Sequence, residues 1–190
     1  MIIAVEGIDG AGKTSVAKKL SEKLGFTFVE KALKSAFSIS KEVYISLRES
    51  LKSYTKEDPN AMAIFFLLNN AVCNVSGENI IADRYIMTNY FFYGNEKNKP
   101  LYTAFLDVTG KPKYTVVLTA DNNTLIKRIK SRGLSKSDEE KELRKVNRKI
   151  HFDDKVVPFL EENDLNYIVV DTSKLSADET TNIILNKIII

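Results

Sequence analysis

Gly7-Ile8-Asp9-Gly10-Ala11-Gly12-Lys13-Thr14 is the run on which the reading of this chain turns. Glycine, four free positions, then Gly-Lys-Thr reproduce the Walker A spacing G-x-x-x-x-G-K-[ST] at every fixed position. The glycines let the backbone curl until successive amide N–H groups face one concavity, which suits an anion. A helix opening directly after the run adds its positive end. On this reading Lys13 reaches the β- and γ-phosphates of a nucleotide, and the Thr14 hydroxyl ligates the Mg²⁺ they carry. The plainer reading, a glycine-rich turn with a chance Lys-Thr, needs four fixed positions and both flanks to coincide by accident.

The flanks agree with such a turn. Met1 to Val5 is a continuous apolar run, as expected of a strand covered on both faces. After the motif, Val16, Leu20 and Leu24 fall on one face of a helix that Gly25 ends. Further strands are predicted at 26–29, 79–82, 114–119 and 166–170. Helices are predicted over 41–54, over the unusually apolar 59–75 behind an Asp58 N-cap, over 122–131 and over 138–162. Between the third and fourth strands, 85–93 reads as a mixed aromatic region, and Ser176 with Glu179 forms a capping-box pair opening a C-terminal helix. The sum is an α/β, P-loop NTPase-type three-layer fold: a five-stranded parallel sheet with helices on both faces, in a single domain over 1–190.

Composition narrows the class. A chain of 190 residues, 44% apolar, suits one globular unit with a sizeable core. Its single cysteine, Cys73, can form neither an internal disulfide nor a zinc cage, which favours a reducing compartment. A net charge of +3 does not announce nucleic acid, and the basic residues form no stripe with interleaved aromatics. The longest apolar run, Ala61 to Leu68, is far short of the roughly 20 residues a bilayer needs. Met1 leads straight into a strand-like run with no basic-then-apolar leader. The expectation is a soluble cytoplasmic protein that binds neither membrane nor nucleic acid.

A phosphate loop of this kind needs an acid near the metal. Asp83 closes the apolar run Ile80 to Ala82, and strand ends in open α/β sheets face the ligand crevice. Asp83 is therefore placed to hold a Mg²⁺-bound water, and Arg84 beside it can grip a phosphate through two parallel N–H bonds. Alone the pair would read as an ordinary strand end; behind a Walker A motif it reads as a site.

Three segments in order, Gly7 to Thr14, Asp83-Arg84-Tyr85 and Lys127 to Gly133, resemble the thymidylate kinase family over nearly the whole chain. The resemblance implies phosphorylation of dTMP to dTDP with Mg·ATP, by a homodimer that packs through the apolar helix around 61–75. It also gives Asp9 the acceptor's sugar hydroxyl, Arg84 the acceptor phosphate, Phe66 a stack on the base and Thr88 a hydroxyl near the base. Phe66 reads equally as core packing, since Phe65, Leu67 and Leu68 surround it. Two departures stand out. The family's Arg-Glu-Pro-Gly-Gly after the second strand is here Val29-Glu30-Lys31-Ala32-Leu33, so Lys31 has to replace an arginine. The arginine expected four residues after the stacking phenylalanine is here Asn70, whose carboxamide both donates and accepts.

These departures leave two acceptors open. A monophosphate oxygen is already anionic and needs cations around it, which Arg84, Lys31 and the basic stretch supply. A nucleoside 5′-hydroxyl benefits from a general base, and Glu30 occupies the place where deoxynucleoside kinases keep that carboxylate. Either way the γ-phosphate needs a cation over it, and none of Ile8, Asp9, Gly10 or Ala11 is basic. Arg128 and Arg132, four apart on one helical face, are candidates, with Lys136, in a small helical lid at about 132–142. Closure of that lid would exclude water. A GTPase switch is disfavoured because no Asn-Lys-x-Asp motif occurs, and the single histidine, His151, reads as a surface residue.

Overall fold

Five parallel strands form one sheet in the computed structural model, which describes residues 1–75, 77–146 and 151–189. They are β1 (Ile2–Gly7), β2 (Thr27–Val29), β3 (Ile80–Asp83), β4 (Tyr114–Thr119) and β5 (Tyr167–Asp171), in the spatial order β2-β3-β1-β4-β5. Central β1 is buried at every residue, which is why its sequence shows no alternation. Its register sets Val5 against Asp83 and Gly7 against Leu118. The carboxyl ends of three strands therefore meet at one edge, where the phosphate loop leaves the sheet.

The helices among the described residues are α1 (Lys13–Leu24), α2 (Ala32–Ala36), α3 (Lys41–Tyr54), α4 (Pro59–Val75), α5 (Ile86–Tyr93), α6 (Lys99–Thr109), α7 (Asn122–Lys130), α8 (Lys136–Val146), α9 (Phe152–Glu162) and α10 (Ala177–Leu185). α1 and α10 pack together on one side of the sheet; α5 and α9 cover the other, with α4 and α6 outside them. The core runs through both layers, and Leu20, Met62, Tyr102 and Phe159 are fully buried in it. Capping chemistry fixes several helix starts as the residues dictate. Asp58 accepts from the N–H groups of Asn60 and Ala61, and Ser176 with Glu179 closes the capping box on α10.

Two expectations are corrected. The single helix over 138–162 is two helices: His151 is extended, with φ −67° and ψ 157°, and α9 starts afresh behind it. The part of that prediction on 147–150 lies outside the described residues. The aromatic region after β3 is helical, forming α5, and α6 follows it. The missed signal for α6 is Pro100 in its first turn, where the lost N–H costs nothing. Among the described residues no helix is long and apolar enough to cross a membrane.

Candidate active site

The phosphate loop is built around backbone shapes that other residues resist. Gly7 has φ +144°, and a Cβ there would stand 2.4 Å from the backbone oxygen of Leu118. Gly12 caps α1 at φ +90°, and no side chain caps that helix, so its first N–H groups are left for a ligand. Lys13 is buried, and its ammonium donates to the carbonyl of Ile8 at 2.6 Å, spanning the curl. Burial pushes its pKa down from 10.5 to about 7, helped by Arg84, while Asp9, Asp83 and Glu6 pull the other way. A cation so desolvated gains strongly from an arriving anion.

Thr14 and Asp83 come together as the sequence suggests. The Thr14 hydroxyl lies 2.5 Å from Asp83 Oδ2, while Asp83 Oδ1 is buried without a hydrogen-bond partner. An orphaned carboxylate oxygen beside a hydroxyl, at the mouth of an anion nest, fits a hard divalent cation that takes its other ligands from phosphate and water. Among the described residues no group of three or more His, Cys, Asp or Glu side chains forms a cage of its own.

A cavity of about 650 Å³ opens from this point, a size that suits a small-molecule ligand. Its near wall is Asp9 and Gly12 to Ser15. The far wall takes Glu30 and Lys31 from the end of β2, Tyr44 and Arg48 from α3, and Phe66, Asn69 and Asn70 from α4. Arg84, Tyr85, Thr88, Asn89, Phe92 and Tyr93 line the floor, and Arg132 with Glu142 closes one side. Phe66 lies parallel to Tyr93, ring centroids 5.5 Å apart and 18° from coplanar, so it faces the cavity as half of an aromatic pair. Asn69 accepts from the N–H of Leu33, which ties α2 to α4. Asn70, buried beside it, has its amide nitrogen unpartnered.

The cations of the cavity are paired. Arg84 grips Asp9 and Arg132 bonds Glu142 at 2.8 Å across elements, while Lys31 grips its neighbour Glu30 and Arg48 bonds its neighbour Glu49 at 2.6 Å. Partial burial works against the Glu30 charge, but Lys31 prevails with Lys41 and Lys34 behind it, and its pKa lies below the ordinary value. Arg84 itself holds φ +71°, a left-handed backbone rare outside glycine, with its N–H bonded to the Val5 carbonyl.

The structure brings Asp9, Lys13, Thr14, Glu30, Phe66, Asn70, Asp83, Arg84, Thr88 and Arg132 to one cavity. Gly7, Ile8, Gly10 and Ala11 form the loop behind its wall. Arg128 is corrected: it turns away and binds Gly10 O at 3.3 Å, Thr172 Oγ1 at 2.9 Å and Thr172 O at 2.7 Å. It shares no helical face with Arg132, because α7 stops at Lys130 and Arg132 follows the Ser131 cap. Arg128 thus clamps the phosphate loop to the segment after β5. Thr88 lines the cavity, but its hydroxyl donates to Glu6 at 2.5 Å. Lys136 opens α8 without lining the cavity. Sequence reasoning missed Tyr44, Arg48, Asn89 and Glu142, which carry no local motif, and Glu6, hidden inside an apolar strand.

A phosphate loop with an acid on the neighbouring strand, facing a cavity sized for a small molecule, defines a P-loop nucleotide-binding protein. Comparison with known proteins narrows the class. A model of the thymidylate kinase family matches residues 5–184, and the chain belongs to that family. It is similar to the probable thymidylate kinase of Methanocaldococcus jannaschii, 28% identical over 96% of this chain and 92% of that one. It is also similar to the deoxyguanosine kinase of Bacillus subtilis, 29% identical over 69% and 66%. Among solved structures, deoxyadenosine kinase from M. mycoides with dCMP and dCDP superposes with a TM-score of 0.62 at 25% identity, covering 98% and 97%. The chain is an ATP-dependent nucleotide kinase.

Proposed function

We propose that this kinase moves the γ-phosphate of ATP onto dTMP, giving dTDP. The observation that carries the reading is the cation content of the cavity wall, which Lys31, Arg48 and Arg84 all line, together with a Glu30 whose pKa Lys31, Lys41 and Lys34 hold down. Cations offset the repulsion between two polyanions, and an acceptor phosphate oxygen needs no base. Glu30, held ionised by its lysines, is a correspondingly poor proton acceptor. In this reading Arg84 and Lys31 hold the acceptor phosphate, Phe66, backed by Tyr93, stacks on the base, and Asn70 meets its edge. The attacking oxygen forms its bond to the γ-phosphorus as the bond to the β–γ bridging oxygen breaks, and ADP leaves. Lys13 and Arg132 face the charge on the transferring group. Thr14 and Asp83 would hold a Mg²⁺ ion, which would offset negative charge on the phosphates.

The segment at about 132–142 acts as the lid, because Arg132 and Glu142 stand at the cavity's rim. A second copy of the chain packs on α4, where Ile64 and Leu68, one turn apart, are 57% and 54% exposed. A reducing, cytoplasmic setting suits the buried thiol of Cys73, the single cysteine of the sequence.

The second reading is a deoxynucleoside kinase with Glu30 as general base; its support is Glu30 on the cavity wall and the likeness to deoxyadenosine kinase. Steady-state ATP consumption with dTMP, dUMP, thymidine and deoxycytidine separates the two. Turnover with dTMP is expected, and turnover with unphosphorylated nucleosides alone would establish the second reading.

A further inference from the structure

Glu6 is the last residue of β1 before Gly7, fully buried, and it belongs to neither the phosphate loop nor the cavity wall. Its carboxylate accepts four hydrogen bonds, all from the turn that follows Arg84. Tyr85 N and Met87 N donate to Oε1 at 3.0 and 2.8 Å; Thr88 N and Thr88 Oγ1 donate to Oε2 at 3.1 and 2.5 Å. One of these donors is the Thr88 hydroxyl, and the other three are orphan amides at the start of α5. Its own N-cap residue, Tyr85, makes no side-chain cap bond. A carboxylate from another element has taken over the capping, at the end of the helix where negative charge is favoured.

The consequence falls on Arg84. Its φ of +71° is uncommon for a side chain of its size, and such a conformation persists only where the surroundings over-determine it. Two anchors do so: the Arg84 N–H bonds Val5 O on one side, and Glu6 binds Tyr85, Met87 and Thr88 on the other. Both anchors belong to β1, the strand that carries the phosphate loop. The loop and Arg84 are thus held to one rigid part, and the distance between donor and acceptor phosphates is set there.

We infer that Glu6 is a positioning residue: by capping α5 from β1 it locks Arg84 in the geometry that holds the acceptor phosphate. The inference rests on the proposed role of Arg84 in acceptor binding. Burial raises the Glu6 pKa above its ordinary value, and the bonds from Thr88, Tyr85 and Met87 offset part of that rise. Glu6→Gln tests the bonds with little change of volume, because it sets an NH₂ donor against donors it formerly accepted from.

The experiment is a double-mutant cycle of Glu6→Gln and Arg84→Ala, read on KM for acceptor and for ATP separately. The expected result is an acceptor KM raised about tenfold by Glu6→Gln with KM for ATP within about twofold, the size usual for residues that orient a ligand-binding group. With Arg84→Ala already present, Glu6→Gln should change acceptor KM by less than about twofold, since the two act as one unit. An equal penalty in both backgrounds, or a lowered melting temperature with unchanged kinetics, would overturn the inference and leave Glu6 a structural cap. If Glu6→Gln yields no folded protein by circular dichroism, Glu6→Asp is read by the same criteria. The wild-type preference between dTMP and thymidine judges the substrate reading separately, and the cycle uses whichever acceptor the enzyme turns over.

Discussion

The two ends of the cavity are built differently. The donor end comes from one unbroken run, Gly7 to Thr14, whose shape is dictated by backbone: Gly7 excludes a Cβ against Leu118, and α1 offers uncapped amides. The acceptor end is assembled from β2, α3, α4, α5 and the Arg132–Glu142 rim, each contributing one or two side chains. A triphosphate tail is the same in every nucleotide and can be held by amides that no substitution alters. An acceptor differs in base, sugar and phosphate, so its wall is made of side chains that can change one at a time. Lys31 and Asn70, which stand in for the two arginines that the family resemblance leads one to expect, both lie on that wall.

The largest effect is expected at the donor end. Lys13→Ala should lower transfer by about a thousandfold or more, since it removes a desolvated cation from charge developing on the γ-phosphate. Its melting temperature should hold or rise, because a buried ammonium is lost with it. Melting curves beside single-turnover rates check both; undiminished transfer would mean that the phosphates bind elsewhere.

Next come the two arginines that looked equivalent in sequence. Arg132→Ala should lower kcat about a hundredfold with little effect on stability. Arg128→Ala should instead destabilise by about 1–3 kcal/mol, because it leaves the carbonyls of Thr172 and Gly10 without their donor. Denaturant titration and steady-state kinetics of both variants sharpen the contrast between lid and clamp; identical profiles would erase it.

Proton linkage reports on the donor end alone. Lys13 titrates near 7 when the fold is empty and at 10.5 when unfolded, so the unfolded chain binds more protons between those values. This one group therefore makes stability rise with pH across that window. An anion on Lys13 raises its folded pKa, so ATP binding at pH 8 should take up close to one proton. Calorimetry in buffers of different ionisation enthalpy measures it, and zero uptake would separate Lys13 from the nucleotide. The smallest effect concerns assembly: Leu68→Asp should give a monomer by gel filtration with light scattering, whereas an unchanged mass would place any dimer contact off α4.

What could be read in advance follows the same division. The sheet, the phosphate loop and Asp83 announce themselves in contiguous patterns, apolar runs and fixed spacings governed by local backbone geometry. Arg48, Asn89 and Glu142 announce nothing, because only the packing of distant helices brings them to the cavity. Arg128 and Arg132 show the limit of helical spacing as a guide: a face shared at i and i+4 exists only while the helix lasts, and α7 ends between them. Glu6 was hidden because one acid in an otherwise apolar strand looks like an interruption. Its four donors lie some eighty residues along the chain.

Whether the acceptor carries a phosphate of its own is decided most directly by ³¹P NMR of the enzyme with Mg·ATP and equimolar dTMP and thymidine. A new phosphorus–oxygen–phosphorus linkage on dTMP, with ADP formed in equal amount and thymidine untouched, is the outcome the cation-lined wall predicts. Phosphate appearing only on the thymidine hydroxyl, with dTMP unchanged, would contradict it.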